Sequence, residues 1–203
     1  MPAQIDFWFT MGSTYTYLTV VRLPAIEQET GIHFVWRPFD LNPILREMKH
    51  TPFKDKPTKA AYMWRDIERR AVMHGIEAKV PAPYPSKDSA RANRIAIVGM
   101  REGWGRDFVC ASYRRWFLHG EPNGEEPSIS ETLRAIGQDP DRVLGLAYDE
   151  ERTSAFEAET STARSLGIFG SPTFTVGKEL FWGDDRLEDA IDWCQHGHLL
   201  KRH

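Results

Sequence analysis

Residues that read as β-strand occur only toward the two ends of this 203-residue chain, and that placement restricts the fold more than any other feature. Near the start, Ile5-Asp6-Phe7-Trp8-Phe9 and His33-Phe34-Val35-Trp36-Arg37-Pro38-Phe39 are runs dominated by aromatic and β-branched residues. Near the end, residues 170–176 and 179–182 flank Gly177-Lys178, a two-residue turn with glycine where positive φ is tolerated. Between the first two runs, Leu18, Val21, Leu23, Ala25 and Ile26 recur at roughly helical spacing, and Gly31 closes the helix. A connection of that length joins parallel strands through a right-handed crossover. The chain therefore opens as β-α-β, with strands over 4–10 and 33–39, and closes as β-β-α. The last helix starts at Asp184-Asp185-Arg186-Leu187, runs through Trp193, and has acids in its first turn as the macrodipole favours.

The middle, about residues 40 to 165, holds no convincing strand. The spacing predicts a helix over 62–71 stopped by Gly75, and Pro81, Pro83 and Pro85 force an extended loop after it. Asp88 or Ser89 starts another helix carrying Ile95, Ala96, Val98 and Met100. Residues 108–118 continue helically until Glu121-Pro122-Asn123-Gly124 breaks the pattern. Ser130 is a cap for a short helix through Leu133 and Ile136, Asp139-Pro140 opens the next, and a helix over 156–166 ends at Gly167. The expected organisation is one domain built from residues 1–39 and 166–203, interrupted by an inserted all-helical domain of residues 40–165.

Composition excludes several classes. Apolar residues make up 41%, with seven Trp and eleven Phe, which is a globular mixture with enough length to bury a core. The net charge of −3 and the lack of any long basic run argue against nucleic acid. No apolar stretch approaches a membrane span, and the N-terminus passes straight into a strand pattern, so a cytoplasmic protein without a membrane is expected. Cys110 and Cys194 match no metal or redox spacing and read as two buried free thiols, with a disulfide between them as the alternative. His196, His198 and His203 lie in a polar tail with no second cluster, so no metal is expected. A glycine-rich phosphate loop and G-x-S-x-G are absent, and no histidine is placed near Ser13 to act as its base.

Ser13 stands where the first strand ends, after the turn Thr10-Met11-Gly12 and ahead of a helical stretch from Thr14. Its plain reading is a helix N-cap. Its second reading is an anion site, in which the hydroxyl donates to the anion while orphan N–H groups and the macrodipole add positive potential. A thiolate held there gains ~2–4 kcal/mol, equivalent to lowering a thiol pKa by about 1.5–3 units. Ser171-Pro172 begins the third strand, where a proline removes a ladder donor. X-Pro bonds are usually trans, but a cis bond here would turn the Ser171 N–H and C=O outward to pair with a peptide-like ligand. Asp184 and Asp185 read as complements to the last helix's dipole or as a pair that binds an ammonium. A strand, a turn, a reactive group ahead of a helix and a late X-Pro-Thr strand form the active-site layout of thioredoxin-like folds. Serine cannot exchange disulfides, but it can hold another molecule's sulfur.

These segments resemble the 2-hydroxychromene-2-carboxylate isomerases and the related kappa-class glutathione transferases. The resemblance is carried by Ile5-Asp6-Phe7-Trp8-Phe9, Ser13 and Tyr15-Thr16-Tyr17-Leu18, then Lys59 with Tyr62, Asp66 and Arg69, then Gly75-Ile76. It continues in Phe169-Gly170-Ser171-Pro172-Thr173 and Phe181-Trp182-Gly183-Asp184-Asp185-Arg186-Leu187, in order over nearly the whole chain. It implies an α/β, thioredoxin-like (DsbA-type) core with an inserted helical domain, and glutathione as a regenerated cofactor. By resemblance, Ser13 is the catalytic serine at the glutathione sulfur. Ser171, ahead of Pro172, pairs its backbone with the cysteinyl part, and Trp182, Gly183, Asp184 and Asp185 border the γ-glutamyl end. Tyr84 matches a substrate-pocket position, Lys54 a carboxylate contact, and Trp64 suits a flat apolar substrate. The chain departs from the family pattern at Thr14, usually Pro, at Ser171, usually Val, and in the turn Thr10-Met11-Gly12.

The expected function is that of a glutathione-dependent isomerase acting on 2-hydroxychromene-2-carboxylate or a similar aromatic-degradation intermediate. The thiolate adds to an electrophilic carbon, the former double bond rotates, and elimination restores the thiol, which divides one hard step into two easier ones. The alternatives are a kappa-like glutathione transferase or peroxidase and a non-catalytic thioredoxin-fold binding protein. The expected partner is a small aromatic carboxylate, and homodimers are common in the family.

Overall fold

A computed structural model describes residues 3–53 and 55–200. Four strands form one mixed sheet: β1 (Gln4–Phe9), β2 (His33–Pro38), β3 (Thr173–Val176) and β4 (Glu179–Trp182), in the order β2-β1-β3-β4. β1 lies parallel to β2, with Gln4 opposite His33 and Phe9 opposite Pro38. β3 is antiparallel to β1, with Phe7 opposite Phe174, and pairs with β4 as the Gly177-Lys178 hairpin. Helix α1 (Thr16–Thr30) makes the crossover from β1 to β2. Among the described residues, seven α-helices lie between β2 and β3: α2 (Leu41–Glu47), α3 (Pro57–Met73), α4 (Ser89–Glu102), α5 (Gly105–Arg114), α6 (Ser128–Ala135), α7 (Pro140–Ala147) and α8 (Glu150–Ser165). A single 3-10 turn (Asp184–Arg186) leads into α9 (Leu187–His196).

The alternation of β1 sends its side chains to two apolar layers. Ile5, Phe7 and Phe9 enter the larger one, with Leu18 and Leu23 of α1, Ile67 of α3, Ile95 of α4, Phe108 of α5 and Leu187 of α9. Phe7 is its centre, 5.0 Å from Phe9, 5.1 Å edge-on from Trp36 and 5.6 Å from Phe174. Trp8 faces the other way, onto Phe39, Ile44 of α2, Ala163 of α8 and Ile168. Its indole N–H donates to Thr175 Oγ1 at 3.1 Å, which removes the cost of burying that group.

Helix boundaries follow their caps. Asp88, Asp139 and Asp149 each accept a backbone N–H from the first turn of α4, α7 and α8. Several boundaries differ from expectation: α3 begins at Pro57 and α8 at Glu150, five and six residues earlier than their periodicity indicates. α2 is a helix that periodicity does not announce. Asp40 caps it through Asn42 N–H at 3.0 Å, and Pro43 sits in the first turn, where no N–H is needed. α6 starts at Ser128, ahead of the expected cap Ser130. β3 begins at Thr173 and not at 170, because Pro172 has no N–H to give a ladder. The helical run expected over 108–118 ends in a π-helical turn (Arg115–His119), in which Trp116 and Phe117 are both buried. Cys110 and Cys194 are free but only partly buried. Burial pushes both thiols up, Cys110 to about 11. No helix among the described residues is long and apolar enough to cross a membrane.

Candidate active site

Ser13 occupies the turn between β1 and α1. Helix α1 begins at Thr16, two residues later than the sequence suggests, and no side chain caps it. The Ser13 N–H donates to Thr10 O at 3.1 Å, which closes the turn. The Ser13 hydroxyl donates to the Ser171 carbonyl at 2.7 Å. Ser13 is therefore not an N-cap, since a cap's oxygen would accept from a helical N–H. Its proton is directed across the sheet to the segment that precedes β3. In the first turn of α1, the Tyr17 N–H donates to Thr14 O at 3.3 Å and the Leu18 N–H to Tyr15 O at 3.2 Å, so the helix opens directly beyond the Ser13 turn.

The Ser171-Pro172 bond is cis. The Ser171 hydroxyl accepts from Thr10 N–H at 3.0 Å and lies 2.9 Å from Thr16 Oγ1. This serine, in place of the valine usual in the resembling family, ties the end of β1 to the first turn of α1 through its own side chain. Pro172 O accepts from Gly183 N–H at 2.9 Å, so 171–173 and 182–183 run side by side. Gly183 has φ of 116°, a conformation that L side chains rarely adopt. Trp182 is 53% exposed and packs edge-on against Phe169 at 4.8 Å.

The two acids differ sharply. Asp184 is buried and accepts from Arg70 Nε at 2.6 Å. Burial pushes its carboxyl up, to about 6, against the opposing pull of Arg70. Asp185 is half-exposed, with Arg186 at 3.8 Å. Helix α3 flanks the whole site on one stripe. Met63 Sδ accepts from Thr14 Oγ1 at 3.2 Å, Asp66 accepts from Tyr15 OH at 2.9 Å, and Arg70 holds Asp184. Burial, reinforced by Asp66, holds the Tyr15 phenol well above its ordinary range.

Trp64 and Tyr84 meet edge to face at 6.1 Å. Phe53 joins them, 5.9 Å from Tyr84, and Phe117 lies 6.2 Å from Trp64. The loop bearing Tyr84 is fastened by Trp116 Nε1, which donates to Pro83 O at 2.7 Å. Lys54 lies outside the described residues. Ser13, Ser171, Pro172, Trp182 and Gly183 thus form one continuous group, and Trp64 and Tyr84 form an aromatic cluster joined to it through α3. Sequence reasoning missed Phe53, Thr16, Arg70 and three buried side chains that hold the Ser13 turn: Asn93, Tyr113 and Asn123.

The chain is similar to known proteins over most of its length. A 2-hydroxychromene-2-carboxylate isomerase of Sphingobium xenophagum is 26% identical over 191 residues, covering 93% of this chain and 96% of that protein. The solved structure of a 2-hydroxychromene-2-carboxylate isomerase superposes with a TM-score of 0.79 at 24% identity, covering 91% of this chain and 90% of that one. The crystal structure of a probable DsbA oxidoreductase from Streptomyces coelicolor superposes with a TM-score of 0.72 at 15% identity, covering 98% and 93%. The family model described as the DSBA-like thioredoxin domain matches residues 4–192, and the chain belongs to that family.

Proposed function

We propose that this chain is a glutathione-dependent isomerase of 2-hydroxychromene-2-carboxylate or a similar aromatic-degradation intermediate. The observation that carries the reading is the Ser13 hydroxyl, held at the start of α1 and directed at the Ser171 carbonyl where a thioredoxin-like redox protein would carry a thiol. The two cysteines cannot substitute. Cys110 is on α5, and Cys194 contacts Gln4 O at the opposite end of β1 from Ser13. The names of the relatives over nearly their whole length support the choice of substrate class.

The residues fit glutathione. Asp185 offers an exposed carboxylate to an ammonium, Trp182 and Gly183 border it, and the Ser171 main chain stands beside the Ser13 hydroxyl. Asp184 is spent on Arg70 and shapes the corner without reaching outward. When bound, glutathione supplies a thiolate nucleophile. On binding, the Ser13 hydroxyl turns its single proton from the Ser171 carbonyl to that anion, and the dipole of α1 adds positive potential. Trp64, Tyr84 and Phe53 present apolar rings to a flat substrate and keep water from it. Tyr84 stays a neutral phenol because burial pushes its pKa above the ordinary phenol value.

Glutathione titration by calorimetry and turnover of a hydroxychromene carboxylate, run beside a generic electrophile such as chlorodinitrobenzene, test the reading. Turnover of the chromene is expected. Conjugation of the generic electrophile without it would reassign the chain as a transferase, and absence of glutathione binding would end the proposal. Ser13→Ala should cut turnover by roughly 10- to 100-fold, as loss of a charge-assisted hydrogen bond worth ~1.5–3 kcal/mol requires. Its melting temperature should fall by only a few degrees, because Ser13 caps no helix and only its hydrogen bond to the Ser171 carbonyl is lost.

A further inference from the structure

Three side chains from the helical segment between β2 and β3 converge on the turn that carries Ser13. Asn93, on α4, accepts from Met11 N–H at 2.8 Å and donates from Nδ2 to Thr10 Oγ1 at 2.8 Å. Asn123, in the loop before α6, donates to Met11 O at 2.6 Å and accepts from Ser86 Oγ at 3.2 Å. Tyr113, on α5, places its hydroxyl 3.0 Å from both Thr10 O and Ser13 O, so one proton serves the two ends of the turn. All three residues are fully buried. Gly12 closes the fourth side, since a Cβ there would stand 2.9 Å from Ser89 Cβ and Oγ at the start of α4.

We propose that Asn93, Tyr113 and Asn123 are positioning residues for the Ser13 hydroxyl. Residues 10–13 belong to neither the sheet nor the helix, so no ladder fixes their carbonyls. Without the cradle, the turn is held only by the Ser13 N–H on Thr10 O and the Thr10 N–H on the Ser171 hydroxyl, which leaves the Met11 peptide and the Ser13 carbonyl without partners and the direction of the Ser13 Cα–Cβ bond less fixed. With the cradle, four main-chain or side-chain groups of Thr10 and Met11, and the carbonyl of Ser13 itself, are held by atoms that cannot move without leaving buried polar groups unpaired. The Ser13 hydroxyl is then delivered to one place, beside the Ser171 carbonyl. The inserted helices therefore act on the reactive hydroxyl through the backbone, without touching a ligand. This inference builds on the proposed thiolate-holding role of Ser13, but the orientation of Ser13 can be measured without glutathione.

The test uses the full chain with Tyr113→Phe, which keeps the ring stack against Trp116 and removes only the hydroxyl. Asn93→Ala is the second variant, and Leu133→Ala, a buried site away from the turn, is the control for lost stability. Crystal structures of the ligand-free variants are expected to show the Ser13 hydroxyl displaced from the Ser171 carbonyl in Tyr113→Phe and Asn93→Ala and unmoved in Leu133→Ala. Thiolate absorbance near the ultraviolet edge, titrated against pH with glutathione bound, should show the thiol ionising about one pH unit higher in the first two, a roughly tenfold lower thiolate fraction. Ser13 left in place in Tyr113→Phe, with an unchanged thiol titration, would overturn the positioning role. A wild-type chain that leaves bound glutathione unionised would instead overturn the functional reading, while the displacement of Ser13 would still decide the cradle. Should Asn93→Ala fail to fold, Tyr113→Phe decides alone.

Discussion

Asp184 and His74 feel the same two arginines, Arg22 and Arg70, and titrate in opposite senses. Burial raises the Asp184 carboxyl from 3.8 to about 6, so the folded chain keeps a proton there that the unfolded chain releases. That contribution to stability is complete below pH 3.8 and fades as pH rises through about 6. Burial and the two positive charges lower His74 from 6.5 to about 4, so its contribution is complete above 6.5 and is lost as pH falls through about 4. Across the range between them, one gain offsets the other. Asp184→Asn removes one side of the balance. Urea unfolding should show the wild type's advantage over Asp184→Asn widening from pH 7 to pH 4, by at most about 3 kcal/mol. A difference that stays constant with pH would mean that Arg70 keeps Asp184 ionised throughout.

Helix caps show what one side chain contributes at the next scale. Asp149 accepts from Arg152 N–H at 2.7 Å and pairs with its guanidinium at 3.2 Å, at the head of α8. Asp149→Ala should cost about 1 kcal/mol, visible as a lower urea midpoint with an unchanged slope and unchanged turnover. Elements with local signals were legible in the sequence. β4 is found over the expected residues, because glycine in the two-residue turn fixes the hairpin. The helix opened by Asp139-Pro140 is found as α7 for a similar reason. Helix α2 was not legible, since seven residues with one buried side chain carry no periodicity. Ser13 and Ser171 were legible as a pair through the layout of two distant segments. Asn93, Tyr113 and Asn123 were not, because they act on the turn from 82 to 112 positions away and no spacing rule connects them. Asn123 in particular sits in Glu121-Pro122-Asn123-Gly124, where composition announces only a break.

Over the whole molecule, the apolar layer around Phe7 runs without interruption from the sheet into α3, α4, α5, α6 and α7. The helical segment between β2 and β3 therefore shares its core with the strands that flank it. Unfolding in urea should proceed as one transition, with far-ultraviolet circular dichroism and tryptophan fluorescence giving coincident midpoints. Phe117→Ala, which empties a buried site stacked 4.1 Å from Tyr17, should shift both midpoints together, at a cost of about 3–5 kcal/mol. Separate midpoints would divide the chain into two independent folding units.

The order of strands also governs when the site can first exist. Phe7 and Phe174 are neighbours in the sheet, yet a ribosome must make 166 residues between them, and Ser13 finds Ser171 only after a similar wait. Protein synthesis at ~5–20 residues per second leaves the N-terminal β-α-β unit exposed for roughly ten seconds or more before its antiparallel neighbour emerges. A chain interrupted short of Ser171 lacks that residue, Pro172 and the turn after β4, and so cannot form the hydrogen bond that ties Ser13 to the opposite segment.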